Sequence, residues 1–369
     1  MKILHLVSGS AVLVGALAAA TAAPPTARTN PLRISMVAAS GATTGFLGAV
    51  EVTVTNTSNK TVRVPRWQLP SDFIEAKVFT VTRDGGTVDY EGPMIKRGLP
   101  KAEDFAILRT GESYRTTIDL SAAYDLSRTG QYVVRFASPL QHASTSDGAM
   151  LKQGNGLPMI AQSAPLRLWV DGSDQLGSAK GGQVTGKAKT PGTGATTVNG
   201  VSYKGCSTTQ ISGAGSAVNS ARNYSENAKG YLNAGTVGAR YTTWFGAYTS
   251  TRYGTAKQHF VSIDAAMDQS GGQVTINCGC NQSYYAYVYP TRPYEIFVCR
   301  AFWTAPLTGT DSKAGTLIHE MSHFNAVAGT DDVVYGQAGA KNLAATDPSG
   351  ALNNADNHEY FAENTPSQN

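Results

Sequence analysis

The sequence predicts a multidomain chain: an all-β unit, expected as an immunoglobulin-like sandwich, followed by a mainly α unit of α+β character with a small antiparallel sheet. Three observations lead there. Between Asn30 and Val170, short β-branched or alternating stretches recur at close intervals, separated by turn signals. From Val201 onward, apolar residues recur mostly at helical spacing. Between Asp171 and Gly200 the composition shifts to Gly, Thr, Ser, Ala and Lys, with little to bury, as in a flexible linker.

In chain order, residues 1–23 combine a cationic Lys2, an apolar stretch and a small-residue Ala20-Thr21-Ala22 site, the pattern of a secretory signal peptide. The β unit, 24–170, carries expected strands at 32–36, 49–55, 78–82, 113–119, 131–136 and 166–170, with turn residues such as Asp84-Gly85-Gly86 and Thr110-Gly111 between them. Its one histidine, His142, has no carboxylate or cysteine partner nearby in sequence and is expected in a loop. After the linker, 171–200, the unit at 201–369 carries expected helices at 209–232 and 255–270, strands at 273–277, 284–289 and 295–303, a helix at 316–328 and a last helix at 349–363.

Charge is divided unevenly. Residues 1–200 hold 20 Lys+Arg and 14 Asp+Glu, net +6, while 201–369 hold 10 and 12, net −2. Opposite signs favour attraction between the two units, and the scattered basic residues form no stripe suited to nucleic acid. No apolar run of membrane-spanning length follows the N-terminal segment, so no membrane association is expected once that segment is removed. All four cysteines, Cys206, Cys278, Cys280 and Cys299, fall in the second unit. In an exported chain they imply two disulfides with three possible connectivities; a bond between near neighbours is disfavoured, and Cys206–Cys278 with Cys280–Cys299 is expected. The second closes a loop of about 20 residues, worth about 3 kcal/mol.

The chemistry concentrates at 316–328. His319 and His323, four apart on a helix, project from one face and reach one metal ion, and Glu320 stands beside them to act on a water. Asp311 or Ser312 offers a cap, Leu317, Ile318, Met321 and Phe324 an apolar face, and Gly329 an end. A catalytic zinc site needs a third protein ligand. Position 329, where one zincin pattern places a histidine, is Gly329. A glutamate one helix later, Glu359 or Glu363, and an aspartate of the turn, Asp331 or Asp332, remain.

The joint pattern His319-Glu320-Met321-Ser322-His323 followed by Gly329-Thr330-x-Asp332-x-x-Tyr335-Gly336 resembles the signature of the aspzincins, the deuterolysin and peptidyl-Lys metalloendopeptidase family. The resemblance extends over the cysteine framework and most of 201–369. Less specifically, the upstream β unit and linker resemble the removable propeptide of secreted members. It implies a secreted endopeptidase in which His319, His323 and Asp332 hold one Zn2+, Glu320 is the general base and Tyr335 donates to the oxyanion, with Asp331 left a turn role.

Two carboxylates three apart on a helix, Asp356 and Glu359, more usually mark a solvated face. Here they resemble the lysine-binding pair of the peptidyl-Lys branch, which implies cleavage of Xaa-Lys bonds. His358 is expected to point away from them. Protein or peptide substrates follow, with the chain's own propeptide as intramolecular inhibitor or chaperone. Lys96 or Lys101 is expected to fill the acidic pocket before activation, from an exposed turn-rich segment, and the linker bonds before Lys180, Lys187 and Lys189 are expected sites of self-cleavage. A broad-specificity protease, in which Asp356 and Glu359 are bystanders, and a non-catalytic zinc-stabilised binding module are the competing readings.

Overall fold

The computed structural model describes residues 29–39, 48–171 and 194–369. The expected signal peptide and the bonds before Lys180, Lys187 and Lys189 lie outside these residues.

The N-terminal region runs through β1 (Leu32–Ala38), β2 (Ala49–Asn56), β3 (Val62–Pro65), β4 (Phe79–Arg83), β5 (Gly86–Thr87) and β6 (Met94–Lys96). It continues with β7 (Phe105–Leu108), β8 (Ser113–Asp119), β9 (Gly130–Pro139), β10 (Ser144–Thr145), β11 (Ile160–Gln162) and β12 (Leu166–Val170). Alternation builds the core here: Val50, Val52 and Val54 of β2, and Tyr132, Val134 and Phe136 of β9, all turn inward. The β character is as expected. The strands nonetheless make three antiparallel sheets, β1-β2-β8, β10-β3-β7 and β11-β9-β4-β5 with β12 also on β9, in place of the expected two-sheet sandwich.

The C-terminal region comprises β13 (Thr196–Val198), β14 (Val201–Lys204), α1 (Thr208–Asn233), α2 (Ala239–Phe245), α3 (Ser250–Met267), β15 (Thr275–Asn277), β16 (Ala286–Val288) and β17 (Glu295–Val298). Then follow α4 (Arg300–Thr304), α5 (Lys313–His323), α6 (Gly336–Thr346), α7 (Pro348–Leu352) and α8 (Ala355–Glu363). Its sheet is mixed, not the small antiparallel sheet expected, in the order β13-β14-β15-β17-β16-β6. Strands β14, β15 and β17 are parallel, because three helices separate β14 from β15 and a crossover returns the chain in the same direction.

The sixth strand comes from the N-terminal region. β6 pairs antiparallel with β16, Met94 opposite Val288, Ile95 opposite Tyr287 and Lys96 opposite Ala286. Thr196–Val198, assigned to the linker from composition, also joins this sheet at its other edge. The disulfides are Cys206–Cys278 and Cys280–Cys299, with Cα separations of 5.0 and 4.8 Å. They tie the ends of β14, β15 and β17 together.

Helix α5 lies at the centre, packed on α1, α3 and α8, with Ala314 through His323 all buried. Its cap is Ser312, whose hydroxyl accepts from Gly315 N at 2.9 Å. Ser312 is held in turn by Glu363, which accepts from Ser312 N at 2.9 Å and Ser312 Oγ at 2.8 Å; a Cβ at Gly315 would run into that carboxylate. The helix starts earlier and stops earlier than the spacing predicts, ending at His323 with Phe324 already extended. The single last helix expected at 349–363 is broken into α7 and α8 at Asn353 and Asn354. No helix among the described residues is long and apolar enough to cross a membrane.

Candidate metal centre and acidic pocket

The end of α5 at His323 is what lets the site form. The chain leaves the helix, turns at Gly329 with φ +61°, and returns so that Thr330 O lies 2.8 Å from His323 Nδ1. A carbonyl only accepts, so Nδ1 carries the hydrogen and Nε2 is left with its lone pair. Ser322 locks the same turn, its hydroxyl 2.7 Å from His319 O and 2.6 Å from Thr330 Oγ1.

Asp332 follows. Its Oδ1 lies 3.1 Å from His319 Nε2 and 3.5 Å from His323 Nε2. Asn354, fully buried at the break before α8, fixes this loop by accepting from Val333 N at 2.9 Å and Val334 N at 3.1 Å. Sequence reasoning passed over Asn354, Ser322 and Thr330's carbonyl, because nothing local marks a residue whose partners arrive from another turn of chain.

His319 Nε2, His323 Nε2, Asp332 Oδ1 and both oxygens of Glu320 are buried and make no hydrogen bond. Five such atoms in one place are costly unless something binds there. Two imidazole nitrogens and a carboxylate oxygen are the donor set zinc takes, so these residues fit that ion. Burial opposes ionisation of Asp332, but His323 and His319 beside it hold its carboxyl well below the usual range. Burial pushes the Glu320 carboxyl up to about 7, with the two histidines opposing.

The other face of His319 looks into a second cluster. Its Nδ1 lies 2.9 Å from Asp356 Oδ1 and 3.2 Å from Glu359 Oε2, both buried residues of α8. Between these carboxylates sits Lys96 of β6, its Nζ 2.5 Å from Glu359 Oε2 and 3.4 Å from Asp356 Oδ1. Lys96 is only 3% exposed, not the exposed turn residue expected, while Lys101 is exposed and outside the pocket. Burial works against the ammonium, but Asp356 and Glu359 outweigh it and hold the Lys96 pKa well above the lysine range. Asp356 also accepts from Gly336 N at 2.6 Å, which ties the pocket to the loop of Tyr335.

Tyr335 is half-buried beside both clusters, and loss of hydration raises its phenol well above the usual range. Its hydroxyl donates to Ile95 O at 3.0 Å, the carbonyl of the residue preceding Lys96. Gln141 of the N-terminal region pairs with the Tyr335 backbone in both directions, at 2.8 and 2.7 Å. Asp331, assigned a turn role, bridges the regions: its carboxylate takes Lys77 Nζ at 2.7 Å and Asn353 Nδ2 at 3.0 Å. A cavity of about 260 Å³ lies between the regions beside Asp332 and Tyr335, lined by Phe79, Met94 and Gln141. His358 faces away from the acidic pair, as expected, and is fully buried; its Nδ1 donates to Asn354 O at 3.0 Å and its Nε2 lies 2.9 Å from His259 Nδ1.

The aspzincin family model, described as lysine-specific metallo-endopeptidase, matches residues 231–363. Over 323 residues the chain is 47% identical to an extracellular protease of Aeromonas hydrophila, covering 87% of this chain and 89% of that protein. Over 333 residues it is 35% identical to a peptidyl-Lys metalloendopeptidase of Grifola frondosa, covering 86% and 88%. A solved zinc peptidase from Grifola frondosa matches with 45% identity and a TM-score of 0.43, covering 44% of this chain and 100% of that one. The chain therefore belongs to the aspzincin family and is a zinc metalloendopeptidase.

Proposed function

We propose that the enzyme hydrolyses peptide bonds on the amino side of lysine and is made as a secreted, latent precursor. In this reading residues 1–23 are the signal peptide, 24–170 an inhibitory or chaperoning propeptide, 171–200 the linker cut on activation and 201–369 the catalytic domain. One observation carries it: the Ile95–Lys96 peptide is laid out as an Xaa-Lys substrate would be, with the ammonium between Asp356 and Glu359 and the preceding carbonyl on the Tyr335 hydroxyl. The name of the Grifola frondosa relative points the same way, as does that of the Aeromonas relative for export.

His319 and His323 through Nε2, with Asp332, would hold one zinc ion. When bound, zinc supplies Lewis acidity, acidifying a water and polarising the scissile carbonyl. Glu320 takes the proton of the attacking water on its carboxylate and delivers it to the leaving amine. Tyr335 donates its phenolic hydrogen to the carbonyl oxygen as that oxygen gains charge. Asp356 and Glu359 bind the lysine that becomes the new N-terminal residue. In the precursor, Lys96 fills that pocket, Ile95 engages Tyr335 and β6 covers the β16 edge, so a substrate must compete with this segment for the same places.

The test is a cleavage-site profile of the activated enzyme on a denatured protein mixture, with the full chain and its Lys96→Gln variant assayed before processing. Cuts should cluster before lysine, and Lys96→Gln should be active earlier than wild type. Cuts scattered over residue types would remove the specificity, and unchanged latency would remove the role of Lys96.

A further inference from the structure

The segment that delivers Lys96 to the acidic pocket also places the residue after it. Lys96 O accepts from Tyr285 N at 3.0 Å, which extends the β6–β16 ladder by one bond, and the Tyr285 ring lies 5.5 Å from Lys96 Nζ. The chain then carries Arg97 onto a second aromatic face. The Arg97 guanidinium carbon lies 4.4 Å from the Tyr284 ring centroid and 4.8 Å from the Trp67 centroid, and Nη2 lies 3.1 Å from Glu75 Oε2. Of these three partners, Trp67 and Glu75 belong to the N-terminal region and only Tyr284 to the C-terminal one.

We propose that Tyr284 is a specificity-determining residue: its ring forms a subsite for the residue following lysine and favours a cationic side chain there, arginine foremost. This rests on the reading of Asp356 and Glu359 as the lysine pocket and of β6 as a segment bound in the manner of a substrate. The backbone bond to Tyr285 fixes the register, so any chain bound with lysine in the pocket presents its next side chain toward Tyr284. A guanidinium stacks flat on a phenol ring and is drawn to its negative face, and the ring stays half-exposed to receive it.

The experiment measures kcat/KM of the zinc-loaded enzyme, activated from the full chain, on matched peptides containing Lys-Arg, Lys-Lys, Lys-Ala or Ala-Ala at the cut. Wild type should favour Lys-Arg over Lys-Ala by about three- to tenfold, the span of a partly exposed cation–π contact. Tyr284→Ala should bring that ratio close to one while leaving the preference for Lys-Ala over Ala-Ala intact, and Tyr284→Phe should keep both. If Tyr284→Ala does not fold, Tyr284→Leu takes its place. A wild-type Lys-Arg to Lys-Ala ratio near one, with lysine selection intact, overturns the subsite alone. Absence of lysine selection in wild type overturns the pocket reading and the subsite with it.

Discussion

On its Nε2 side the His319 ring faces Asp332 at 3.1 Å, with His323 Nε2 3.5 Å from the same oxygen; on its Nδ1 side it faces Asp356 at 2.9 Å and Glu359 at 3.2 Å. Both clusters are buried and both call for a cation, yet they differ in donors. Two imidazole nitrogens and one carboxylate oxygen make a site for a divalent metal of intermediate softness. Two carboxylates make a receptor for an ammonium with three hydrogens to give, and Lys96 occupies it. The difference teaches that a donor set suited to a metal and a pocket suited to an ammonium are neighbours by construction, joined through one ring and through helices α5 and α8.

The largest effect that separates the two sides belongs to Glu320. Glu320→Ala should lower kcat/KM by about 10²- to 10⁴-fold. Zinc content by metal analysis should stay that of wild type; loss of zinc in the variant would mean that Glu320 holds the metal side together.

On the lysine side, Glu359→Gln keeps the shape and removes one charge beside the ammonium. The expected loss on lysine peptides is about 10- to 100-fold, the worth of a charge-assisted hydrogen bond, with zinc content unchanged. A variant as active as wild type would make the pocket a bystander.

Asn354 couples the sides, because its amide holds Val333 and Val334 of the metal loop while the residue itself opens α8. Asn354→Ala should weaken zinc binding by about tenfold in a chelator competition, since orienting groups around metal ligands are worth that much. An unaltered zinc affinity would show that the loop holds itself.

The smallest effect on activity, and one visible in stability, concerns the face of α8 that carries no charge. Asn354 O can only accept, so His358 donates through Nδ1 and accepts from His259 through Nε2. Burial lowers the His358 pKa to about 3 and that of His259 to about 4. Both folded values lie below the unfolded one near 6.5, so the unfolded chain binds more protons between them. The contribution of these two histidines to stability should therefore be full above pH 6.5 and fall as the pH drops toward 4, on the order of 1.4 kcal/mol for each tenfold loss of proton affinity on folding, with the raised Glu320 carboxyl acting in the opposite sense. Urea unfolding at pH 6.5 and 5 should show wild type losing more stability on acidification than His358→Gln, which keeps only the His259 share; equal changes in the two proteins would assign the effect elsewhere.

Much of this was legible in the sequence, and the rest was not for physical reasons. The period and the Ser312 cap mark α5, and the spacing of Gly329, Thr330, Asp332 and Tyr335 marks the loop that meets it. The end of α5 is not legible, since Phe324 extends to let Thr330 O reach His323, a demand made by tertiary structure. Helix α6 escaped notice because Gly336 and Gly339 depress its propensity, and α2 because it is one short turn pair without a side-chain cap. Strand β6 is three residues long, too short to show a period; it is a strand only because β16 pairs with it from the other region. The mixed sheet was missed for the same reason, as a strand's direction is set by its neighbours and not by its own residues.

Asp356 and Glu359, on this view, convert a zinc endopeptidase into a lysine-directed one. The direct measurement is the ratio of kcat/KM for two peptides differing only in Lys or Ala after the scissile bond, in wild type and in Asp356→Asn/Glu359→Gln, with zinc quantified in the same samples. The wild-type ratio should exceed about 10², the worth of two charge-assisted contacts, and collapse toward one in the double variant while zinc is retained. A wild-type ratio near one, or a ratio that survives the double substitution, would contradict the assignment.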